Sequence, residues 1–356
     1  MTPRAHAHTC DSEDRALQEC NPSAGSCRGL RKHPPAPGPL GSGPANPQMT
    51  HTTSPAPDDS ASHGAKAKNS FLTPSRMNKK LLSLYSLKFN PFSSDVPVEA
   101  LWVPPPLESF CWRIEQQIGE GGFALAIGEP GSGKSASLRV LRERLSALRE
   151  VQVGVLTRPQ AGLADFYREL GELFGVVLAP HNRWASAKVL REKWHQHIDC
   201  SLCRPILLMD EAQESCLPVL NELRLLSSAE LDSRSILTVV LAGDRRLGAK
   251  LDSPELLPLA SRIRSRLRTE SLPAPQLAEC LGHLLKGAGN PRLLTAPLVQ
   301  TLCEHAAGNL RLLMNMAGEL LAAACHQERD TLDENLYFEV FALDPKPAAA
   351  KRVRAA

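Results

Sequence analysis

The segment Gly128–Ser135 constrains the fold of this chain more than any other feature of the sequence. It reads Gly-Glu-Pro-Gly-Ser-Gly-Lys-Ser and fits the pattern G-x-x-x-x-G-K-[ST]. An apolar run, Phe123–Ile127, comes directly before it. After it, Leu138, Leu141 and Leu145 recur at the spacing of an amphipathic helix. The pattern therefore predicts a strand, a phosphate-binding loop and a helix, in that order.

Each part of this loop suits a bound triphosphate. The glycines allow backbone N–H groups to turn toward phosphate oxygens, and the positive end of the following helix faces the same anion. The lysine supplies charge for the β- and γ-phosphates, and the last serine offers a hydroxyl to Mg²⁺. We expect ATP and Mg²⁺ as ligands; a glycine-rich turn without a ligand is the alternative. The predicted binding residues are Gly128, Glu129, Pro130, Gly131, Ser132, Gly133, Lys134 and Ser135.

A second apolar run ends in two carboxylates, Asp210 and Glu211. The edge of a sheet beside a phosphate-binding loop is where the shell of a Mg²⁺ ion needs an acceptor, and Asp210 suits that position. Glu211 is one residue further along and suits a base that polarises the attacking water. An ordinary acidic turn at the end of a strand is the alternative. The sequence thus predicts Ser135 and Asp210 at the metal, and Lys134 and Glu211 as catalytic groups.

Apolar runs of strand length alternate with helical patterns from about residue 107 to residue 272, with Leu267–Leu272 as a fifth strand. This alternation predicts a parallel sheet covered by helices on both faces. After Pro273 only helical patterns remain, so a small all-helical domain follows. The predicted domains are an α/β core with its N-terminal segment over residues 77–272, and helices over 273–343.

The composition excludes several classes of protein. Hydrophobic residues make up 42% of the chain, which supports a globular core, and the net charge of +3 is too small for a polycation. Binding to nucleic acid would therefore need a local patch, for which Arg245–Arg246, Arg262–Arg268 and Lys351–Arg354 are candidates. We find no apolar run of membrane-spanning length and no signal peptide. Ten cysteines without framework spacing indicate reduced thiols, and we expect a bacterial cytoplasmic protein.

The two ends of the chain have a different character. Residues 1–76 are rich in proline, lack periodicity and contain one aromatic residue, Phe71. Such a segment buries too little apolar surface to offset its conformational entropy, so we expect disorder. Either the segment is a translated tail that binds a partner, or the reading frame has been extended too far and translation starts at Met77. Residues 344–356 are expected to be a flexible basic tail.

Together, the phosphate-binding loop and the acidic strand end resemble the AAA+ ATPases of the additional-strand class. This resemblance implies a five-stranded parallel sheet between helices with a C-terminal helical lid. It also implies a γ-phosphate sensor at Asp244, a second sensor at Arg311 in Gly308-Asn309-Leu310-Arg311, and an arginine finger at Arg262 or Arg266. The alternatives are a plain turn residue for Asp244 and solvated surface charges for the arginines.

The resemblance narrows to the ExeA-like ATPases over about residues 77–343. It rests on Leu84–Ser93, on Asp210-Glu211-Ala212-Gln213, and on Glu222–Ser227. In such proteins the N-terminal segment lines the adenine pocket, which makes Pro91, Phe92 and Val96 candidates here. Phe92 is equally explained as an anchor of the hydrophobic core.

That family has two branches. One contains secretion proteins, and the other contains helper ATPases of mobile elements, which resemble TniB-, IstB- and MuB-type proteins. The second branch implies a homo-oligomer, as a ring or filament, that binds duplex DNA and regulates a transposase. We favour this branch because the chain shows no membrane span. An ATPase of a secretion or envelope assembly system is one alternative, and a nucleotide-gated scaffold with little turnover is another.

Overall fold

The computed structural model describes residues 74–179, 181–230 and 233–341. Of the segment predicted to be disordered, only the last three residues fall in this range, and they begin helix α1 (Pro74–Leu84). The remainder of that segment, the tail at 344–356 and the patch Lys351–Arg354 lie outside the described residues, so what was predicted for them stays a prediction.

Five parallel strands form the central sheet, as the sequence predicts. The strands in chain order are β1 (Gly122–Gly128), β2 (Val151–Leu156), β3 (Arg204–Met209), β4 (Ser228–Ala229), β5 (Arg234–Ser235), β6 (Thr238–Gly243) and β7 (Ile263–Thr269). The sheet has the order β2-β3-β6-β1-β7, and β4 and β5 pair separately as a two-stranded antiparallel hairpin. Because the five strands are parallel, the segments that follow β1, β3 and β6 all emerge at one edge of the sheet.

The central strands are buried on both faces. Every residue of β6 is buried, and so is every residue of β3 after Arg204. Leu125 of β1 pairs in register with Leu241 of β6 on one side and with Arg266 of β7 on the other. Continuous apolar runs of this kind are typical of strands covered by helices on both sides.

In the described part of the chain, eight helices flank the sheet or precede it. After α1 they are α2 (Pro105–Gln117), α3 (Lys134–Ser146), α4 (Leu163–Phe174), α5 (Arg183–Ser201), α6 (Leu217–Ser227), α7 (Arg245–Leu251) and α8 (Leu257–Ala260). Helices α2 and α3 pack on one face of the sheet, and α4 to α8 pack on the other. Full burial of each large apolar side chain, such as Phe110 or Leu141, contributes about 1.5–3 kcal/mol. The predicted α/β class is confirmed.

Four further helices follow the sheet and form most of a second hydrophobic core. They are α9 (Ala274–Ala288), α10 (Ala296–Ala306), α11 (Leu310–Gln327) and α12 (Glu334–Phe341). The side chains of Leu81, Tyr85, Leu87 and Phe92 are buried in the same core. The N-terminal segment therefore packs with the helical part of the chain, whereas the sequence grouped it with the α/β part. We call α1, residues 85–92 and α9–α12 together the lid.

The last strand differs from the predicted one. It begins at Ile263 rather than at Leu267, so the arginine-rich segment is part of the sheet. Arg264, Arg266 and Arg268 are exposed and alternate with buried Ser265 and Leu267. This alternation is typical of an edge strand with one open face. The strand therefore has no continuous apolar run at its start, which is why the sequence placed its first residue too late. Within the residues that the structure describes, no helix is both long and apolar enough to cross a bilayer.

Candidate nucleotide-binding site

The phosphate-binding loop connects β1 to α3 at the edge of the sheet where the strands end. Gly131 has a φ of +84°, a left-handed backbone conformation that residues with a side chain adopt only under strain. A Cβ added there would lie 2.2 Å from Oδ1 of Asn309. At Gly128, a Cβ would lie 1.8 Å from Oγ1 of Thr269. Neither position has space for a side chain, so the glycines allow close approach of the lid and of β7 to the loop.

Lys134 is buried at the first position of α3. Its Nζ donates hydrogen bonds to the carbonyl oxygens of Gly128, at 2.9 Å, and of Glu129, at 3.0 Å. Both partners are neutral, so this arrangement leaves the positive charge of the ammonium group available to an anion in the loop. The Glu129 side chain lies outside the loop and forms an ion pair with Arg245.

Ser135 and Asp210 are brought together from positions 75 residues apart. The Ser135 hydroxyl donates to Oδ2 of Asp210 at 2.7 Å, and Oδ1 of Asp210 accepts the backbone N–H of Glu211 at 2.9 Å. Mg²⁺ binds nucleotide sites through one or two protein oxygens together with phosphates and water. A hydroxyl and a carboxylate at the mouth of the loop fit that donor set. No group of three or more His, Cys, Asp or Glu able to hold a metal occurs among the residues described.

Glu211 follows β3 in a left-handed backbone conformation with a φ of +51°. Its side chain is exposed, and its carboxylate accepts a hydrogen bond from Nε2 of Gln213. A non-glycine residue in this conformation is uncommon and occurs often at functional sites. The structure therefore places an exposed carboxylate beside Asp210, at the same edge of the sheet as the loop.

Asp244 follows β6 at this edge, but its carboxylate is already engaged. Oδ1 accepts the backbone N–H of Arg246 at 2.8 Å and so caps α7, and Oδ2 accepts Nε of Arg246 at 2.8 Å. The carboxylate raises the pKa of the Arg246 guanidinium, chiefly through this hydrogen bond. In this structure Asp244 is thus the N-cap of α7, and its role as a sensor stays a prediction.

The lid contacts the loop through the first turn of α11. The backbone N–H of Arg311 donates to the carbonyl oxygen of Gly131 at 3.2 Å, and Nδ2 of Asn309 donates to that of Pro130 at 3.2 Å. Oδ1 of Asn309 caps α11 by accepting the N–H of Leu312 at 3.1 Å. The Arg311 side chain is exposed. Asn309 belongs to the motif that carried the prediction of Arg311, but its own contact with the loop was missed.

The two candidate fingers lie elsewhere. Arg262 precedes β7, so it lies at the edge of the sheet opposite the loop, and its guanidinium donates to the carbonyl oxygen of Pro258. It lines a cavity of about 490 Å³ with Arg234 and Arg264. Burial, followed by the charge of Arg224, lowers the pKa of Arg262. Arg266 is exposed on β7. The structure brings neither of them to the loop of its own chain.

The N-terminal segment crosses from the lid to the α/β part beside α3. Arg139 of α3 donates to the carbonyl oxygens of Ser94, at 3.0 Å, and Val96, at 2.6 Å. Pro91 and Val96 are buried, and Val96 packs on lid residues of α9. Phe92 is buried in the core of the lid, which agrees with the alternative that it is a core anchor. Arg139 was not predicted, since one arginine on a helix gives no signal of this contact.

Comparison with known proteins supports the fold and the loop. Residues 116–251 match a family model described as an AAA domain. This range contains the loop, the acidic end of β3 and the whole of β6. The General secretion pathway protein A of Aeromonas hydrophila is 31% identical over 208 residues, which are 57% of this chain and 37% of that protein. The chain thus matches well under half the length of this curated relative.

Two solved structures share the architecture at low sequence identity. The ORC2 protein of Aeropyrum pernix in its ADPNP–ADP complexes has a TM-score of 0.54 and 14% identity, and the match covers 71% of each chain. The ORC1 protein of Aeropyrum pernix in complex with DNA has a TM-score of 0.53 and 18% identity, over 71% of this chain and 68% of that one. The fold is therefore the AAA+ P-loop fold with C-terminal helices, as predicted.

Proposed function

We propose that this chain binds ATP with Mg²⁺ between the phosphate-binding loop and the lid, and hydrolyses it. The observation that carries the proposal is the 2.7 Å hydrogen bond between Ser135 and Asp210. It joins the two motifs at one point, with the carboxylate of Glu211 on the next residue. The AAA domain match and the AAA+ fold support nucleotide as the ligand.

The roles of the residues follow from their positions. Loop amides and Lys134 bind the β- and γ-phosphates. Ser135 and Asp210 hold Mg²⁺, which neutralises charge on the phosphates when it is bound. Glu211 accepts a proton from the attacking water and orients it. The Arg311 side chain extends from a helix whose first turn contacts the loop, so Arg311 is the proposed sensor of the γ-phosphate on the lid.

Purified protein tests this assignment directly. Lys134→Ala is expected to abolish ATP binding, because it removes the buried charge of the loop. Glu211→Gln is expected to keep ATP binding and to lose turnover by about 10²- to 10⁴-fold, the usual contribution of a general base. Asp165→Asn, on the exposed first turn of α4, is the matched control and is expected to behave as wild type. A Glu211→Gln protein with wild-type turnover would indicate a different base, and a wild-type protein that binds ATP but barely turns over would support a nucleotide-gated scaffold.

We also propose a homo-oligomer in which an arginine acts on the neighbouring subunit. Arg262 lies at the edge of the sheet opposite its own loop, so it can reach a nucleotide only in another subunit. Mixing Arg262→Ala and Lys134→Ala proteins is expected to restore turnover, because one type of mixed interface combines an intact loop with an intact finger. Arg266→Ala in the same mixing test discriminates between the two candidates, and absence of rescue in both mixtures contradicts a finger in trans.

Two biological roles, which differ in the partner of the ATPase, are candidates for this chain. The identity with General secretion pathway protein A favours a secretion or envelope assembly role. A DNA-binding helper of a transposase is the other candidate, and it depends on the family resemblance. Measurement of ATP turnover with and without duplex DNA at moderate salt separates them: stimulation by DNA supports the helper, and association with envelope fractions without stimulation supports the secretion role.

A further inference from the structure

Gln213 connects the ends of two neighbouring strands next to the proposed base. It lies in the short 3₁₀ turn Ala212–Glu214 that follows β3, and its side chain is 5% exposed. Its Nε2 donates to Oε2 of Glu211, while its Oε1 accepts the backbone N–H of Asp244 at 3.2 Å. One amide thus spans from the carboxylate after β3 to the backbone after β6.

A side-chain amide satisfies both contacts at once. A carboxylate can only accept a hydrogen bond and a backbone N–H can only donate one, so the two partners require a donor and an acceptor. They also determine which end of the amide carries the nitrogen. A glutamate at this position would keep the acceptor but face Glu211 with a second negative charge.

The turn that carries Gln213 is itself held in place. Nζ of Lys250, on α7, donates to the carbonyl oxygens of Gln213 and of Ser215, both at 2.7 Å. A Cβ added at Gly243 would lie 2.5 Å from Oε1 of Gln213, so the backbone of β6 has to be bare there. The backbone of the turn is therefore held by Lys250 and the amide is packed against β6, whereas the Glu211 side chain that the amide contacts is exposed.

We propose that Gln213 is a positioning residue that orients the carboxylate of Glu211 and couples it to the end of β6 and the start of α7. The inference rests on the proposed function, in which Glu211 orients the attacking water. Without the amide, Glu211 retains its charge and its backbone but samples several rotamers. With the amide in place, a shift at the end of β6 moves Gln213 and thereby the carboxylate of Glu211. This coupling needs no direct contact between Gln213 and the nucleotide.

The expected signature is a loss of turnover without a loss of binding. Gln213→Ala is expected to lower kcat by about 10- to 100-fold, a part of what a general base contributes, and to leave KM for ATP within about twofold. Gln213→Glu keeps an acceptor for the backbone N–H of Asp244 but cannot donate to the carboxylate of Glu211, so it is expected to lower kcat to a similar degree and to leave KM within about twofold.

The experiment measures kcat, KM and thermal unfolding for these variants beside wild type, Glu211→Gln and Glu214→Gln. Glu214 lies in the same turn and pairs with Arg246 rather than with Glu211, so its variant controls for disturbance of the turn and should retain wild-type kcat. If Gln213→Ala does not fold, Gln213→Glu provides the same test through its kcat and KM.

The outcomes separate the two ideas. Inactive Glu211→Gln with a wild-type kcat in Gln213→Ala overturns the positioning role and leaves the proposed function intact. Equal losses in Gln213→Ala and Glu214→Gln, or a wild-type kcat in Gln213→Glu, also overturn it. Wild-type protein that fails to bind ATP overturns the proposed function itself.

Discussion

Asn309 makes two hydrogen bonds that substitutions can separate, and this makes it the sharpest test of the contact between lid and loop. Its Oδ1 caps α11 through Leu312, and its Nδ2 holds the carbonyl oxygen of Pro130. Asn309→Ala removes both bonds. Asn309→Asp keeps an acceptor for the cap, removes the donor, and places a negative charge beside the loop.

The magnitudes follow from the two contacts. Loss of an N-cap costs about 1 kcal/mol, and loss of a partly exposed hydrogen bond costs about another 1 kcal/mol. Asn309→Ala is therefore expected to lower the free energy of unfolding by about 2 kcal/mol. In Asn309→Asp the charge at the start of a helix returns about 0.5 kcal/mol, so its stability stays close to wild type. One like charge about 5 Å from a phosphate costs about 3 kcal/mol at an effective dielectric constant of about 20, which weakens ATP binding by about 100-fold.

Urea denaturation and fluorescent-nucleotide titration at constant Mg²⁺ measure both effects. Asn290→Ala is the matched control, since Nδ2 of Asn290 donates to the carbonyl oxygen of Tyr85 at 3.1 Å within the lid. This control is expected to lose stability and to bind ATP like wild type. If Asn309→Asp binds ATP as tightly as wild type, the lid does not approach the phosphates through Asn309 and the reasoning is refuted.

Three further predictions concern the metal, the lid and the buried thiols. Ser135→Ala and Asp210→Asn are expected to abolish the part of ATP affinity that depends on Mg²⁺ and to leave affinity in EDTA within about threefold, as titration with and without Mg²⁺ would show; equal loss in both conditions would contradict a metal role. Phe92→Ala is expected to destabilise the lid by about 3–5 kcal/mol in denaturation, because it empties a buried site, and a change below about 1 kcal/mol would contradict that packing. Burial raises the pKa of the thiols of Cys111 to about 11 and of Cys280 to about 12. Raised folded-state pKa values mean that the contribution of these thiols to the free energy of unfolding is fully present below about pH 9 and falls as the pH rises toward about 11, which denaturation of wild type beside Cys111→Ala and Cys280→Ala at several pH values would measure; the same pH dependence in wild type and variants would contradict the burial of these thiols.

The fold and the centre of the candidate site were predictable because their chemistry is local. A phosphate-binding loop needs particular residue types at fixed spacing, and Gly131 and Lys134 reveal it within one short segment. The parallel sheet then implies that Asp210 approaches Ser135, since both follow strands of one sheet. This part of the site required no knowledge of side-chain packing.

The rest depends on which partner a polar group finds in the folded chain. The motif that predicts Asp244 as a sensor does not reveal that its carboxylate accepts hydrogen bonds from the backbone N–H and the side chain of Arg246. Gln213 and Asn309 are ordinary amides whose importance comes from contacts with segments 31 and 179 residues away. Periodicity reports only which face of an element is buried, so it cannot identify such pairs.

The lid is built from two stretches of chain with the whole sheet between them. Leu81 and Phe92 are made early in synthesis, while their neighbours on α9–α12 are made only after β7 is complete. About 180 residues are synthesised between Phe92 and the start of α9, and until then these apolar side chains lack their partners in the lid and are open to chaperones. The α/β core has its contacts within one stretch of chain and can fold in that interval, so we expect the lid to form last and then to place the first turn of α11 on a loop that is already formed.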